Sequence, residues 1–319
     1  YGYVQPWKEK APVKACACGS TQFRGEERVF DTWFDSSSPP LYITGKRENL
    51  KGFINEIELI EGDIRDLGAL RKAMKGVDFV LHQAALRSVA RSVDDPVSTN
   101  EVNIGGTLNV LIAAKEEKVQ RVVYASSSSA YGDNPALPKT EDDVPMPISP
   151  YAVSKLTGEY YCRVFSSLYG LETVSLRYFN VFGPRQDPDS PYAAVIPLFI
   201  ASISKGLSPA VYGDGLQSRD FTYIQNVVQA NLLTARTKNK LNGGVFNIAC
   251  GRRHTVLDIV EKVNNILNKN ISPQFLEPRK GDVRHTLGDI TKAEKLLGYR
   301  VEVDFEEGLK RTVEWLRVS

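Results

Sequence analysis

The chain has 319 residues, with 40 Lys+Arg against 38 Asp+Glu, a net charge of +2 and 42% hydrophobic residues. That length predicts one large or two modest domains of ordinary globular composition, and the balanced charge speaks against a nucleic-acid partner. No apolar run is long enough for a membrane span, and no basic stretch leading into an apolar one follows Tyr1, so neither membrane insertion nor secretion is expected. Four cysteines, Cys16, Cys18, Cys162 and Cys250, are too few for a disulfide framework and point to the reducing cytoplasm. "CACGS" has C-x-C rather than C-x2-C spacing and no second Cys/His pair nearby, so no metal is expected.

From residue 56 the elements follow in regular order. "EIELIEGD" (56–63) alternates like a strand, and "DLGALRKAMKG" (66–76) has helical spacing with a glycine stop. "VDFVLHQAA" (77–85) is a short apolar strand running into a loop, "NIGGTLNVLIAAKEEK" (103–118) a helix, and "VQRVVYASS" (119–127) a buried strand. A long helix is predicted over "SPYAVSKLTGEYYCRVFSSLYG" (149–170), with Pro150 at its start and Gly170 past its end. "LETVSLRYFN" (171–180) is again a strand. This strand–helix alternation predicts a Rossmann-like parallel sheet covered on both faces. After Gly183 the rhythm loosens into helices over 192–206, 223–237, 255–269 and 304–317 and a strand over 243–250, read as a smaller mixed α/β region.

Three pieces carry chemistry. "YASSSSAYG" (124–132) places hydroxyls at the carboxyl end of a strand, where open parallel sheets bind ligands. "SPYAVSK" sets Tyr151 and Lys155 at i and i+4 on one helix face. "RYFNVFGP" (177–184) runs from another strand into a loop at the same sheet end. A tyrosine with an ordinary pKa near 10 needs positive charge nearby to act as a base, which a lysine one turn away supplies, and a serine hydroxyl can relay the proton. Tyr-x3-Lys alone arises by chance in a chain rich in both residues; the three pieces in order do not.

Residues 44–319 resemble the extended short-chain dehydrogenases/reductases, and among them the UDP-sugar 4-epimerases, in "GDIRD", "HQAALRSV", "YASSSSAYG", "SPYAVSKLTGE", "LRYFNVFGPRQDP", "GDGLQSRDFTYI" and "KGDVRHTLGDITKA", all in family order. The resemblance is nearest to the UDP-N-acetylglucosamine 4-epimerases. It implies NAD as cofactor, a UDP-hexose as substrate, and a homodimer built on helices near 100–117 and 151–169. It further implies Tyr151 as base, Lys155 on the nicotinamide ribose, and Ser127, or alternatively Ser128, as proton relay. Asp63 and Ile64 would meet the adenine, Ala84, Ala85 and Asn103 the dinucleotide, and Val181 the carboxamide. Asn180, Arg219, Arg279 and Asp282 would hold the UDP portion. Related 4,6-dehydratases carry an acid pair where this chain has Ser128 and Ser129, so dehydration is not expected. Thr286 stands where glucose-specific epimerases tend to have a bulky residue, which favours a 2-acetamido sugar; the other reading is a plain turn residue. A decarboxylase or reductase of the same superfamily, or a non-catalytic UDP-sugar-binding remnant, are the alternatives.

Residues 1–43 break the pattern. They contain only Gly2, Gly19 and Gly25, not the G-x-x-G-x-x-G turn that lets a helix N-terminus approach a pyrophosphate. "CACGSTQFRGEERVFDTWFDSSSPPLYI" (16–43) instead resembles a fragment of valyl-type class I aminoacyl-tRNA synthetases, without a HIGH-like or KMSKS-like signature. The expected organisation is therefore 1–43 as an atypical segment joined near Ile43–Thr44, 44–183 as a dinucleotide-binding region lacking its first strand–turn–helix, and 184–319 as the substrate region. "RVFDTWF" (28–34) is the expected stand-in strand, and NAD binding is expected to be weak or absent.

Overall fold

A computed structural model gives the fold. It describes residues 2–4, 59–186, 194–278 and 283–318. Two compact units divide the chain. The first takes Tyr1–Ala130, Ser149–Arg177 and Asn231–Phe246, and the second takes Tyr131–Ile148, Tyr178–Ala230 and Asn247–Ser319. Where the sequence reading set one boundary at 183–184, the chain passes between the units several times.

In the first unit, strands β1 (Gly2–Val4) and β2 (Leu59–Glu61) pair antiparallel, with Tyr3 opposite Ile60. The stand-in strand expected at 28–34, the junction expected near 43–44 and the stretch 16–43 expected to be synthetase-like lie outside the described residues. Helix α1 (Leu67–Met74) starts at Asp66, whose carboxylate accepts the Ala69 N–H at 3.0 Å. Strands β3 (Phe79–His82) and β4 (Arg121–Ser127) pair in parallel, Val80 beside Val122. With β5 (Thr173–Tyr178) and β10 (Gly244–Ile248) they form a four-stranded sheet in the order β10-β5-β4-β3. Two short helices unforeseen from the sequence, α2 (Val89–Asp94) and α3 (Pro96–Asn100), lead into a π-helical turn, Glu101–Gly106, and then α4 (Thr107–Glu116). The helix expected from 103 thus begins wider-wound, a form frequent at functional sites. A methyl group on Gly106 would lie 2.5 Å from Ile64 Cδ1, so this turn sits directly on the segment after β2.

Helix α5 (Pro150–Tyr169) is the long predicted one. Ser149 caps it by accepting the Ala152 N–H at 3.1 Å, and Gly170 ends it at φ 69°. Its Gly158 has no side chain because the Tyr124 phenol of β4 occupies that space. Leu70, Met74, Val80, Val110, Leu111, Val122, Cys162 and Phe165 form the unit's core between sheet and helices. Arg121, 7% exposed, explains why 231–246 belongs here: its guanidinium donates to the carbonyls of Thr234, Thr237 and Asn239 at 2.7–2.8 Å. It thereby caps the end of α7 (Ile224–Arg236), where a cation is favoured.

The second unit packs α6 (Val195–Ser204), α8 (Val256–Leu267) and α10 (Phe305–Val318) around Phe182, Phe199, Ile203, Ile259, Val263, Phe305 and Leu309. Thr255 opens α8 with a capping box closed by Asp258. Helix α9 (Thr291–Leu297) precedes α10. Short strands make paired ribbons: β6 (Val181–Phe182) with β9 (Thr222–Tyr223), β8 (Ser218–Arg219) with β11 (His254–Thr255), and β7 (Ala210–Tyr212) with β12 (Gln274–Leu276). Among the described residues no helix is long and apolar enough to cross a membrane.

Candidate active site

The first unit brings Ser127, Tyr151 and Lys155 together at the end of β4. Buried positions run along that strand until Ser127, which is half-buried, and the chain then turns through a 3-10 segment, Ser128–Tyr131. Ser127 Oγ accepts the Ser129 hydroxyl at 2.9 Å and the Ser129 N–H at 3.2 Å. Ser127 also lies near enough to act on the Tyr151 phenol. Burial pushes the Tyr151 phenol above its usual value, while the hydrogen bond from Ser127 and the positive charge of Arg87 pull it down. The cation acting on Tyr151 here is thus Arg87, a residue the spacing did not single out. Lys155, the group expected in that role, donates from Nζ to the Ala125 carbonyl at 2.8 Å and lies 6.0 Å from the Tyr151 ring centre. Burial lowers Lys155 to about 7, against an upward push from Glu159.

The loop after β3 is held from α5. Asn103, in the π-helical turn, donates to the Leu86 carbonyl at 3.0 Å and accepts its N–H at 2.7 Å, and donates also to Ser154 Oγ at 3.0 Å. Ser154 in turn donates to the Tyr151 carbonyl at 2.8 Å. The backbone around Ala84 and Ala85, two small residues at the carboxyl end of a parallel strand, is thereby registered to the Tyr151 turn. His82 is buried; its Nε2 bonds Thr107 Oγ1 at 2.9 Å, and burial with the nearby Lys155 lowers it to about 3, so it stays neutral. Farther along, Ile64 is fully buried and Asp63 is tied by Arg65. Burial would raise that carboxyl, but the Arg65 hydrogen bonds and charge hold it below its ordinary value.

In the second unit a different set converges. Asn180, at the unusual φ of 29°, donates from Nδ2 to the Asp220 carbonyl at 3.1 Å and to Thr286 Oγ1 at 3.2 Å. Thr286 Oγ1 also accepts the Asp220 N–H at 3.4 Å, so its hydroxyl is engaged inside the unit. Arg219 is braced by the carbonyls of Ser218 and Arg284 at 3.0 and 3.1 Å. Val181 opens β6 beside Thr222. Beneath them lies fully buried Asp220, whose carboxylate accepts the N–H groups of Cys250, Gly251 and Gly288 at 2.8, 3.0 and 3.2 Å. Burial raises it to about 7 while these donors pull it down. Asp220→Ala leaves three donors without an acceptor and is expected to cost about 3 kcal/mol or more; an unchanged urea midpoint would refute this cradle. Arg279 and Asp282 lie outside the described residues, as do Cys16 and Cys18. Among the described residues no group of three His, Cys, Asp or Glu side chains could hold a metal ion.

A parallel α/β sheet with a Tyr–Lys–Ser group at a strand end defines a protein of the short-chain dehydrogenase/reductase type. The chain belongs to the NAD-dependent epimerase/dehydratase family, whose sequence model matches residues 36–249. It is 40% identical to a solved UDP-N-acetylglucosamine 4-epimerase from Methanobrevibacter ruminantium, in complex with UDP-N-acetylmuramic acid, with a TM-score of 0.83 over 93% of this chain and 95% of that one. It is 35% identical to the UDP-glucose 4-epimerase of Mycolicibacterium smegmatis, over 86% of this chain and 88% of that protein. To the UDP-glucuronate 4-epimerase of Thermodesulfobacterium geofontis it is 36% identical, over 79% and 77% of the two chains.

Proposed function

We propose that this chain interconverts the C4 epimers of a UDP-hexose in the cytoplasm, with UDP-N-acetylglucosamine and UDP-N-acetylgalactosamine as the preferred pair. The observation that carries the reading is Tyr151 and Lys155 one turn apart on α5, Lys155 Nζ lying 6.0 Å from the Tyr151 ring centre and bonded to the Ala125 carbonyl of β4, the strand that Ser127 ends. In this reading Tyr151 is the base that ends up with the proton of the sugar 4-hydroxyl, and Ser127 relays it by accepting that proton as it gives its own to the Tyr151 oxygen. Ser128 and Ser129 offer no acid for eliminating water, so the proton returns to the sugar 4-oxygen by the same path. Asn180, Arg219, Arg279 and Asp282 are assigned to the UDP portion and Thr286 to the acetamido side; the small Thr286 side chain supports the N-acetylhexosamine preference.

The residues present fit the nicotinamide half of NAD: a buried lysine beside a tyrosine, and small residues on a loop pinned by Asn103. Lys155 and Tyr151 would hold its ribose, Ala84, Ala85 and Asn103 the dinucleotide, Val181 the carboxamide, and Asp63 and Ile64 the adenine end. Bound there, NAD supplies a hydride acceptor and, when oxidised, a positive charge beside the phenol. Residues 1–58 contain no G-x-x-G-x-x-G turn for the pyrophosphate, so the cofactor is expected to be lost on gel filtration and required in the assay.

A homodimer is part of the same proposal. Val153, Tyr160, Val164 and Leu168 are 42–72% exposed at helical spacing on α5, and Val93 and Val97 of α2 and α3 add 63% and 66%. Sedimentation showing only monomer across a wide concentration range would remove this part. The decisive assay incubates the purified chain with UDP-N-acetylglucosamine, with and without added NAD. Galacto product that depends on added NAD is expected; a folded chain giving none with NAD present would refute the activity.

A further inference from the structure

Glu159 lies four residues beyond Lys155, on the same face of α5. Its side chain and that of Arg177 are each only 3% exposed. Arg177 donates from Nε and Nη2 to its two oxygens at 2.8 and 2.7 Å, and Ser126 Oγ donates to Oε1. Ser126 immediately precedes Ser127, so one carboxylate ties β5, the end of β4 and α5 at the level of the reacting groups. Tyr124 fills the space between: its hydroxyl donates to the Lys155 carbonyl at 3.3 Å, and Lys155 Nζ stands 5.1 Å from its ring centre.

We propose that Glu159 is a positioning residue for the Tyr151–Lys155 pair, held by Arg177 and Ser126 so that a fixed negative charge stands one helical turn beyond Lys155 and keeps that lysine an ammonium. The inference rests on the assignment of Tyr151 and Lys155 above. The groups facing Lys155 are Tyr151 and Glu159 from its own helix, Tyr124 and the Ala125 carbonyl from β4, and His82 from β3. Arg177 of β5 stands behind Glu159, and Arg87 acts on Tyr151. His82 is neutral and Tyr124 is held protonated by its burial. Glu159 is therefore the anion whose field supports the Lys155 charge, against a burial that opposes it.

The test reads the Lys155 proton directly, by 15N NMR of chain labelled at lysine Nζ, the signal assigned by its loss in Lys155→Met. Glu159→Gln alone strands Arg177, so the double variant Glu159→Gln/Arg177→Met, which replaces the pair by neutral groups, is measured beside it. The Lys155 midpoint is expected to fall in both, and further in the single variant, where Arg177 remains as an unpaired cation nearby. The break in the kcat profile set by loss of the Lys155 ammonium is expected to move down with it, with KM for the UDP-sugar unchanged. A midpoint that stays put in the folded double variant would make the pair a neutral clip and overturn the proposal. A midpoint that falls while even the wild-type chain shows no turnover leaves Glu159 in this role and fails the epimerase reading instead.

Discussion

Tyr151→Phe is expected to lower kcat by about a thousandfold, the size of effect a positioned base supplies, while KM for the UDP-sugar changes little. The substitution deletes one hydroxyl and keeps the ring. The backbone links of the turn, the Tyr151 N–H to Ser92 Oγ at 3.1 Å and Ser154 Oγ to the Tyr151 carbonyl, survive, so circular dichroism and the unfolding midpoint should match the parent. The pH profile carries the sharper signature. A base must lose its proton to work, and burial delays that loss to higher pH, so the phenol makes the parent's rate climb as pH rises. Lys155, lowered to about 7, acts in the opposite sense, because its ammonium is lost as pH rises. Phenylalanine at 151 should erase the climbing limb and leave the falling one. A variant that retains the climb would show that another group is the base, with Ser127 and Ser128 the hydroxyls to examine next.

The second large effect concerns stability. Arg177→Met is expected to destabilise the fold by about 3–5 kcal/mol, because it leaves the Glu159 carboxylate buried without its ion-pair partner. The partner variant Glu159→Gln/Arg177→Met should recover most of that loss, since neutral groups of similar size replace the pair and Ser126 keeps an acceptor in the Gln carbonyl. Urea unfolding of the four proteins of the cycle gives the coupling directly. A single variant as stable as the parent would mean that water reaches Glu159, contrary to its 3% exposure. The exposed pair Arg311–Glu307 is the internal control: one helical turn apart and open to solvent, it should contribute well under 1 kcal/mol.

Local signals in the chain were enough for the elements that carry the chemistry. Ser149, Pro150 and Gly170 delimit α5 because caps act on backbone groups within one turn, and Tyr151 and Lys155 share its face by helix geometry alone. The same holds for Asp66 at the start of α1 and for the apolar runs of β3 and β4. Helices α2 and α3 were not legible: Pro96 interrupts a segment rich in β-branched residues, and the side chains of Ser88 and Asp95 start two short helices by capping Arg91 and Ser98. Ser127 could be picked from its run only by resemblance; in the structure it ends β4 and accepts both the hydroxyl and the N–H of Ser129.

By itself, then, the sequence determined the alternating α/β plan, the Tyr–Lys face and the family. Its missing glycine turn is likewise visible as a plain absence in residues 1–58. Tertiary structure alone decided which charges act on those residues. The charge of Arg87 acts on Tyr151 from the loop after β3, Arg177 reaches Glu159 from the next strand, and Arg121 draws 231–246 into the first unit through three carbonyls more than a hundred residues away. The reason is one of range. Periodicity and capping are set by neighbours within a turn, whereas the pKa of a buried group is set by its burial and by the few charges that folding brings within several ångströms, whatever their distance along the chain.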